Sequence, residues 1–165
     1  MGGLIILPSK LVIVNPFLYE EDLFDYVVSL GTLSCLELDI AYSEIARVLR
    51  PNGCFVVIET LGHNPLLNFN RWLKLKRGFK TTWSVDHILK LKHFQRANRY
   101  FNRVEMIFFD LLTPFLVPFA SMSRWYPRRV KETIWTLDER LLSLSHLKQY
   151  AFKIVGVFSE PRKNL

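Results

Sequence analysis

Three consecutive segments constrain this chain more than any other feature: "DYVVSLG" at residues 25–31, "ELDIAYSEIARVLR" at 37–50 and "CFVVIET" at 54–60. The first is a short β-branched apolar run that stops at a glycine, which predicts a buried strand delivering its carboxyl end to a loop. The second places Leu38, Ala41, Ile45, Val48 and Leu49 at helical spacing, with Glu37, Glu44, Arg47 and Arg50 directed away. That is an amphipathic helix. It carries acid near its start and arginine near its end, as the helix dipole prefers, and Pro51 and Gly53 are expected to terminate it. The third segment predicts another buried strand. Strand, helix and strand in this order form a right-handed crossover with the two strands parallel.

Downstream of the Gly62–His63–Asn64–Pro65 loop, "LLNFNRWLKLKR" reads as the start of a helix. "VDHILKLKHFQRANRYF", residues 85–101, reads as a longer one, with Ile88, Leu89, Leu91, Phe94 and Tyr100 available for packing. "RVEMIFFD" predicts a strand, "VKETIWTLDERLLSLSHL" a final helix and "YAFKIVGVFSEP" a closing strand. At 165 residues the chain has the length of one domain. Its expected parts are an irregular or makeshift strand region over 1–22, the strand-helix-strand block over 23–65, a basic helical insert over 66–102, and terminal strands with an apolar excursion and a helix over 103–165.

Half of the residues are hydrophobic and 14% are aromatic, which excludes a disordered chain. It also leaves apolar surface that a partner or a lipid could cover. The stretch 111–129 is apolar, interrupted by Pro114 and Pro118 and rimmed by Trp125, Tyr126, Arg128 and Arg129. It is too short and too broken to span a bilayer, and it reads equally as a peripheral membrane contact or as a buried excursion. The amino-terminal "MGGLIILPSKLVIVNP" lacks a basic leader and is broken at Pro8 and Lys10, so neither a signal peptide nor a spanning helix is expected there. Cys35 and Cys54 form no metal-binding or disulfide pattern and are expected as buried, inert thiols in a reducing, cytoplasmic setting. The net charge is +7, and ten basic residues between Arg71 and Arg103 face Asp86 alone. Such a cluster attracts phosphates or anionic lipid heads, or simply forms a solvated helix face.

The residues "LFDYVVSLGTLSCL", 23–36, and "AYSEIARVLRPNGCFVVIETLGHNP", 41–65, resemble the carboxyl-terminal part of a class I S-adenosylmethionine-dependent methyltransferase of the methyltransferase-type-11 sort. "TTWSVDHIL" and "YAFKIVGVF" continue the likeness weakly. The resemblance implies an α/β fold: a partial Rossmann-like methyltransferase sheet of parallel strands plus one antiparallel strand near the carboxyl terminus, with helices on its faces. It implies S-adenosylmethionine as cofactor and methyl transfer to a small-molecule acceptor, such as a lipid or glycan precursor. By the same resemblance Ser29, Leu30, Gly31 and Thr32 approach the methionine part of the cofactor. Glu59, Asn64, Asn68, Arg71 and Asp86 lie on the acceptor side, and His63 and His87 are the candidate bases. An imidazole suits that role because it titrates near neutrality. Glu59 either orients a ligand or caps the following turn, and no metal is expected.

The family's glycine-rich loop after its first strand, and the acid ending its second, have no counterpart upstream of "FDYVVS". A central strand at 25–31 then needs a neighbour on its open side. Residues 4–7 or 11–14 supply it, or another chain does, or the sequence is a truncated piece of a longer enzyme, the reading preferred on these residues. Two further functions stay open: a non-catalytic, methyltransferase-like subunit whose open sheet edge a protein partner covers, and, ranked last, a nucleic-acid binder using the basic cluster with Trp72, Phe79 and Trp83.

Overall fold

The computed structural model describes residues 3–7, 19–78, 88–112 and 128–163. In chain order the elements are β1 (Gly3–Leu7), β2 (Phe24–Leu30), α1 (Leu38–Val48), β3 (Leu49–Thr60), α2 (Pro65–Lys76), α3 (Leu91–Gln95), β4 (Phe101–Phe109), α4 (Arg128–Leu142) and β5 (Lys153–Pro161). They build one five-stranded sheet in the order β1-β2-β3-β5-β4. Residues 1–60, 87–107 and 154–165 form one compact unit, and 61–86 with 108–153 form a second.

β1, β2 and β3 are parallel. Leu4 pairs with Tyr26 and Leu7 with Ser29, so the "LIIL" segment is the neighbour that β2 requires; residues 11–14 lie outside the described residues. β5 runs against its neighbours. The amide of Arg162, just past β5, donates to the carbonyl of Tyr100, just before β4, at 2.8 Å, and the amide of Leu61, just past β3, donates to that of Phe152 at 2.9 Å. The expected mixture of parallel strands with one antiparallel strand near the carboxyl terminus is therefore present.

α1 packs where its sequence pattern directs it: Leu38, Ala41, Tyr42, Ile45 and Val48 are buried. Its last carbonyls are capped from far along the chain. The Lys163 ammonium donates to the carbonyls of Ala46 at 2.9 Å and Arg47 at 3.1 Å, also to that of Leu49, and pairs with Asp22 at 2.6 Å. A cation is favoured at this end of a helix dipole. Beneath α1, Phe55, Phe101 and Phe158 are fully buried and meet at ring-centroid distances of 5.6 to 6.4 Å, with Tyr42 edge-on to Phe158 at 5.9 Å. Offset and edge-to-face aromatic contacts of this kind add to the gain from burial itself.

Several expectations are corrected. Pro51 and Gly53 do not lie in a loop between helix and strand: β3 already begins at Leu49. Asp25 on β2 stands opposite Arg50 to Gly53 on β3, because Phe24 pairs with Leu49 and Tyr26 with Cys54. The extra residues bulge out, as insertions in a strand do. Gly53 is required there, since a Cβ would lie 2.9 Å from the Arg50 carbonyl oxygen. Glu44 is not directed to water but buried, held by the Arg47 guanidinium at 2.6 and 2.9 Å. Cys35 is exposed rather than buried, and Cys54 is half-buried. The helix expected across 85–101 is short: 88–90 are irregular, α3 spans five residues, and a 3-10 turn over Arg96–Arg99 leads into β4. The Asn98 side chain donates to the Gln95 carbonyl at 2.9 Å, a local bond that competes with helix continuation.

Candidate functional site

β2 delivers its carboxyl end to Gly31, whose φ is +68. Only glycine adopts that conformation without strain. Its amide still donates to the Ile58 carbonyl at 2.9 Å, continuing the parallel ladder one residue past the strand. Among the described residues, no heavy atom outside its chain neighbours lies within 4 Å of where a Cβ would stand, so the backbone is open to them on that side. Ser29 and Thr32, both buried, bracket the glycine and hydrogen-bond to each other through their hydroxyls at 2.9 Å. Leu30 points out and is 51% exposed.

The turn continues into a 3-10 segment, Leu33–Cys35, and Glu59 near the end of β3 holds it. The Leu33 amide donates to Glu59 Oε1 at 2.6 Å, and the backbone amides of Ser34 and Thr60 also bond to the carboxylate. Glu59 is 5% exposed. Burial pushes its carboxyl up to about 7 against the pull of those three amides. The turn that Glu59 holds is the one after β2, not the turn that follows Glu59 in the chain. Tyr42 lies close enough to feel the same charge: burial first, then Glu59, push its phenol well above the ordinary range, so it stays protonated. Its hydroxyl donates to the His93 carbonyl at 3.3 Å. Tyr42 and the Leu33 amide complete this arrangement and were not singled out in the sequence. A tyrosine at a core position of α1 reads as packing alone, and a backbone amide has no signature.

In the second unit, Asn64 precedes α2 and caps it. Its side-chain oxygen accepts from the Leu67 amide at 3.3 Å, and its side-chain nitrogen donates to the Tyr150 carbonyl at 3.0 Å. Asn68 donates to the Gly62 carbonyl at 2.9 Å. Arg71 donates to Asn68 Oδ1 at 2.9 Å and, through both terminal nitrogens, to the Leu61 carbonyl at 3.4 Å. It is 9% exposed, and burial lowers its pKa. The structure thus brings Asn64, Asn68 and Arg71 together around residues 61–64 as a bracket joining loop to helix. His63 sits half-buried in that loop. Asp86 and His87 lie outside the described residues, as does 113–127 of the apolar excursion. Among the described residues no helix is long and apolar enough to cross a membrane, and no three His, Cys, Asp or Glu side chains are grouped to hold a metal ion. The basic cluster is partly neutralised in place: Arg96 pairs with Asp39 at 3.4 Å and Arg103 with Glu105 at 2.7 Å.

Residues 14–57 match a family described as a methyltransferase domain. The match takes in β2, α1 and most of β3, the block whose sequence carries the resemblance. Among solved structures, the chain is similar to Haemonchus contortus phosphoethanolamine N-methyltransferase 2 in complex with S-adenosyl-L-methionine, at 14% identity and a TM-score of 0.48, over 87% of this chain and 35% of that one. It is similar also to geranyl diphosphate C-methyltransferase from Streptomyces coelicolor A3(2) in complex with Mg2+, geranyl diphosphate and S-adenosyl-L-homocysteine, at 14% identity and a TM-score of 0.48, over 86% of this chain and 49% of that one. The chain therefore spans between about a third and a half of the length of these two structures. No curated protein matches the sequence.

Proposed function

We propose that this chain carries the methionine-side part of an S-adenosylmethionine site, and that the protein it represents transfers a methyl group to a small-molecule acceptor. One observation carries the reading: the turn at Gly31 is open on its backbone side at the carboxyl end of a parallel strand, inside the segment that matches a methyltransferase domain. The residues present fit the cofactor's methionine end, because a ligand can approach the Gly31 backbone where any side chain would stand. When bound, the cofactor supplies an electrophilic sulfonium methyl. The chain's contribution is positioning. Gly31 admits the ligand, the Ser29–Thr32 hydroxyl pair fixes the turn, and Glu59 holds the amides that follow it.

On the acceptor side, His63 and His87 are the proposed proton acceptors, and Asn64, Asn68, Arg71 and Asp86 the proposed polar contacts. The apolar sequence over 111–122 motivates a lipid-like acceptor, and 111–129 with its aromatic and basic rim a peripheral membrane contact. Calorimetric titration of the chain with S-adenosylmethionine tests the reading. Saturable heat, competed away by S-adenosylhomocysteine, is expected, and no heat at millimolar cofactor overturns it for this chain.

A second reading, a non-catalytic subunit docked on a protein partner, draws on one feature. On the face of β2 and β3 away from the buried Val27, Phe55 and Val57, the residues Tyr26, Leu30 and Ile58 are 56%, 51% and 37% exposed. Size-exclusion chromatography separates the two: a self-associating or partner-captured chain without cofactor heat favours the subunit, and a clean monomer counts against it.

A further inference from the structure

We infer that the outward face of α2 docks on a bilayer surface bearing anionic lipid headgroups, a role that goes beyond methyl transfer and does not depend on it. The helix is anchored on one side by Arg71, whose guanidinium is buried against the Leu61 carbonyl and Asn68. What it turns to water on the other side includes two aromatic rings. Phe69, Trp72 and Lys76 are spaced by three and four residues, which stacks them on one face. Phe69 is 60% and Trp72 45% exposed. Their rings stack at 5.7 Å, and the Lys76 ammonium sits 4.5 Å from the centre of the Trp72 ring.

Exposed aromatics that pack with each other and with a lysine form a preorganised amphipathic surface. Tryptophan and phenylalanine settle at the depth of lipid headgroups, while lysine keeps its charge in the headgroup layer. The charge along this stretch of sequence has one sign. Residues 61–78 hold Arg71, Lys74, Lys76 and Arg77 and no acidic residue, and Lys74, Lys76 and Arg77 are exposed. Basic residues beside an aromatic helical face are what an anionic leaflet attracts. Single-stranded nucleic acid is disfavoured as the occupant. Base stacking needs a free ring face, and Phe69 one turn earlier and Lys76 one turn later lie against the Trp72 ring.

The test is flotation of the whole chain with vesicles of phosphatidylcholine alone and of phosphatidylcholine mixed with phosphatidylserine. The proposal expects roughly tenfold or stronger binding to the mixed vesicles, falling as salt rises. The double variant Phe69→Ser/Trp72→Ser is expected to lose that binding with its melting curve intact, since both side chains point outward. Lys74→Glu/Lys76→Glu, which leaves the aromatics in place, is expected to remove the preference for anionic vesicles and serves if the first variant fails to fold. Trp135→Ser, which deletes a still more exposed tryptophan on α4, is expected to bind as the parent does. Equal binding to both vesicle types, unchanged binding by either double variant, or a single-stranded oligonucleotide displacing the vesicles from the parent each overturns the inference.

Discussion

Among the described residues, the loops that follow β2 and β3 are each tied down by one buried charged side chain, of opposite sign. After β2, the turn from Gly31 to Ser34 is held by the Glu59 carboxylate, which gathers backbone amides. After β3, residues 61–64 are held by the Arg71 guanidinium, which gathers a backbone carbonyl and an amide side chain. Burial disfavours charge in both, raising the acid and lowering the base. The consequences differ because of where each group starts. A carboxyl raised to about 7 can take up a proton near neutrality, whereas a guanidinium, even lowered by burial, begins far above that range. One loop is therefore sensitive to proton concentration and the other is fixed. The sensitive one is the loop proposed to meet the cofactor.

The largest effect expected from this difference is in stability against pH. Glu59 binds its proton up to about 7 in the folded chain, while a free carboxyl releases it near 4.5. Between those values the folded state holds more protons than the unfolded state, so stability falls as pH rises through the window and levels off above it, by about 3 kcal/mol in all. Urea midpoints recorded across that window should decline for the parent, and the Glu59→Gln variant, which cannot ionise, should flatten the curve. Parallel curves for the two proteins would break the comparison.

Arg71→Ala comes next. It strips the buried Leu61 carbonyl of its guanidinium donor, and leaving such a group unsatisfied costs about 2 kcal/mol. The loss should be the same on both sides of neutrality, because no group titrating there is removed. A pH-dependent loss would mean that the second loop is not the fixed one. Gly31→Ala sharpens the first loop further. With no described atom near the added methyl the penalty is conformational, about 1 kcal/mol in thermal denaturation, while cofactor heat should fall because the added methyl stands where the ligand approaches. The smallest effect belongs to Arg50→Ala. It breaks the pair in which one Arg50 guanidinium nitrogen donates to both Asp25 carboxylate oxygens, at 2.8 and 2.7 Å, across the bulge of β3. Both partners are more than 30% exposed, so the loss should stay under about 1 kcal/mol and shrink in high salt.

What the sequence made legible and what it hid follow from the range of the interactions involved. The parallel block was readable because β-branched runs and a helical stripe of Leu38, Ala41, Ile45 and Val48 express local periodicity. Gly31 was readable as the end of a strand, since a glycine there has few other purposes. The bulge at Arg50–Gly53 was not, because a proline and a glycine after a helix look the same in a loop as in a distorted strand. Glu44 was assigned to water by its position on the helix, and its pairing with Arg47 reversed that. The site kept its capping logic hidden for the same reason. Glu59 and Leu33 are 26 residues apart, and Asn64 meets Tyr150 across 86. No periodicity encodes such a meeting.

The comparison rests finally on the turn after β2 being where the cofactor lies. Amide hydrogen exchange, read residue by residue with and without saturating S-adenosylmethionine, tests this most directly. The account predicts slower exchange at Gly31, Thr32, Leu33 and Ser34, with the amides of α2 unchanged. Identical exchange over those four residues under conditions where calorimetry registers binding would put the cofactor elsewhere and contradict it.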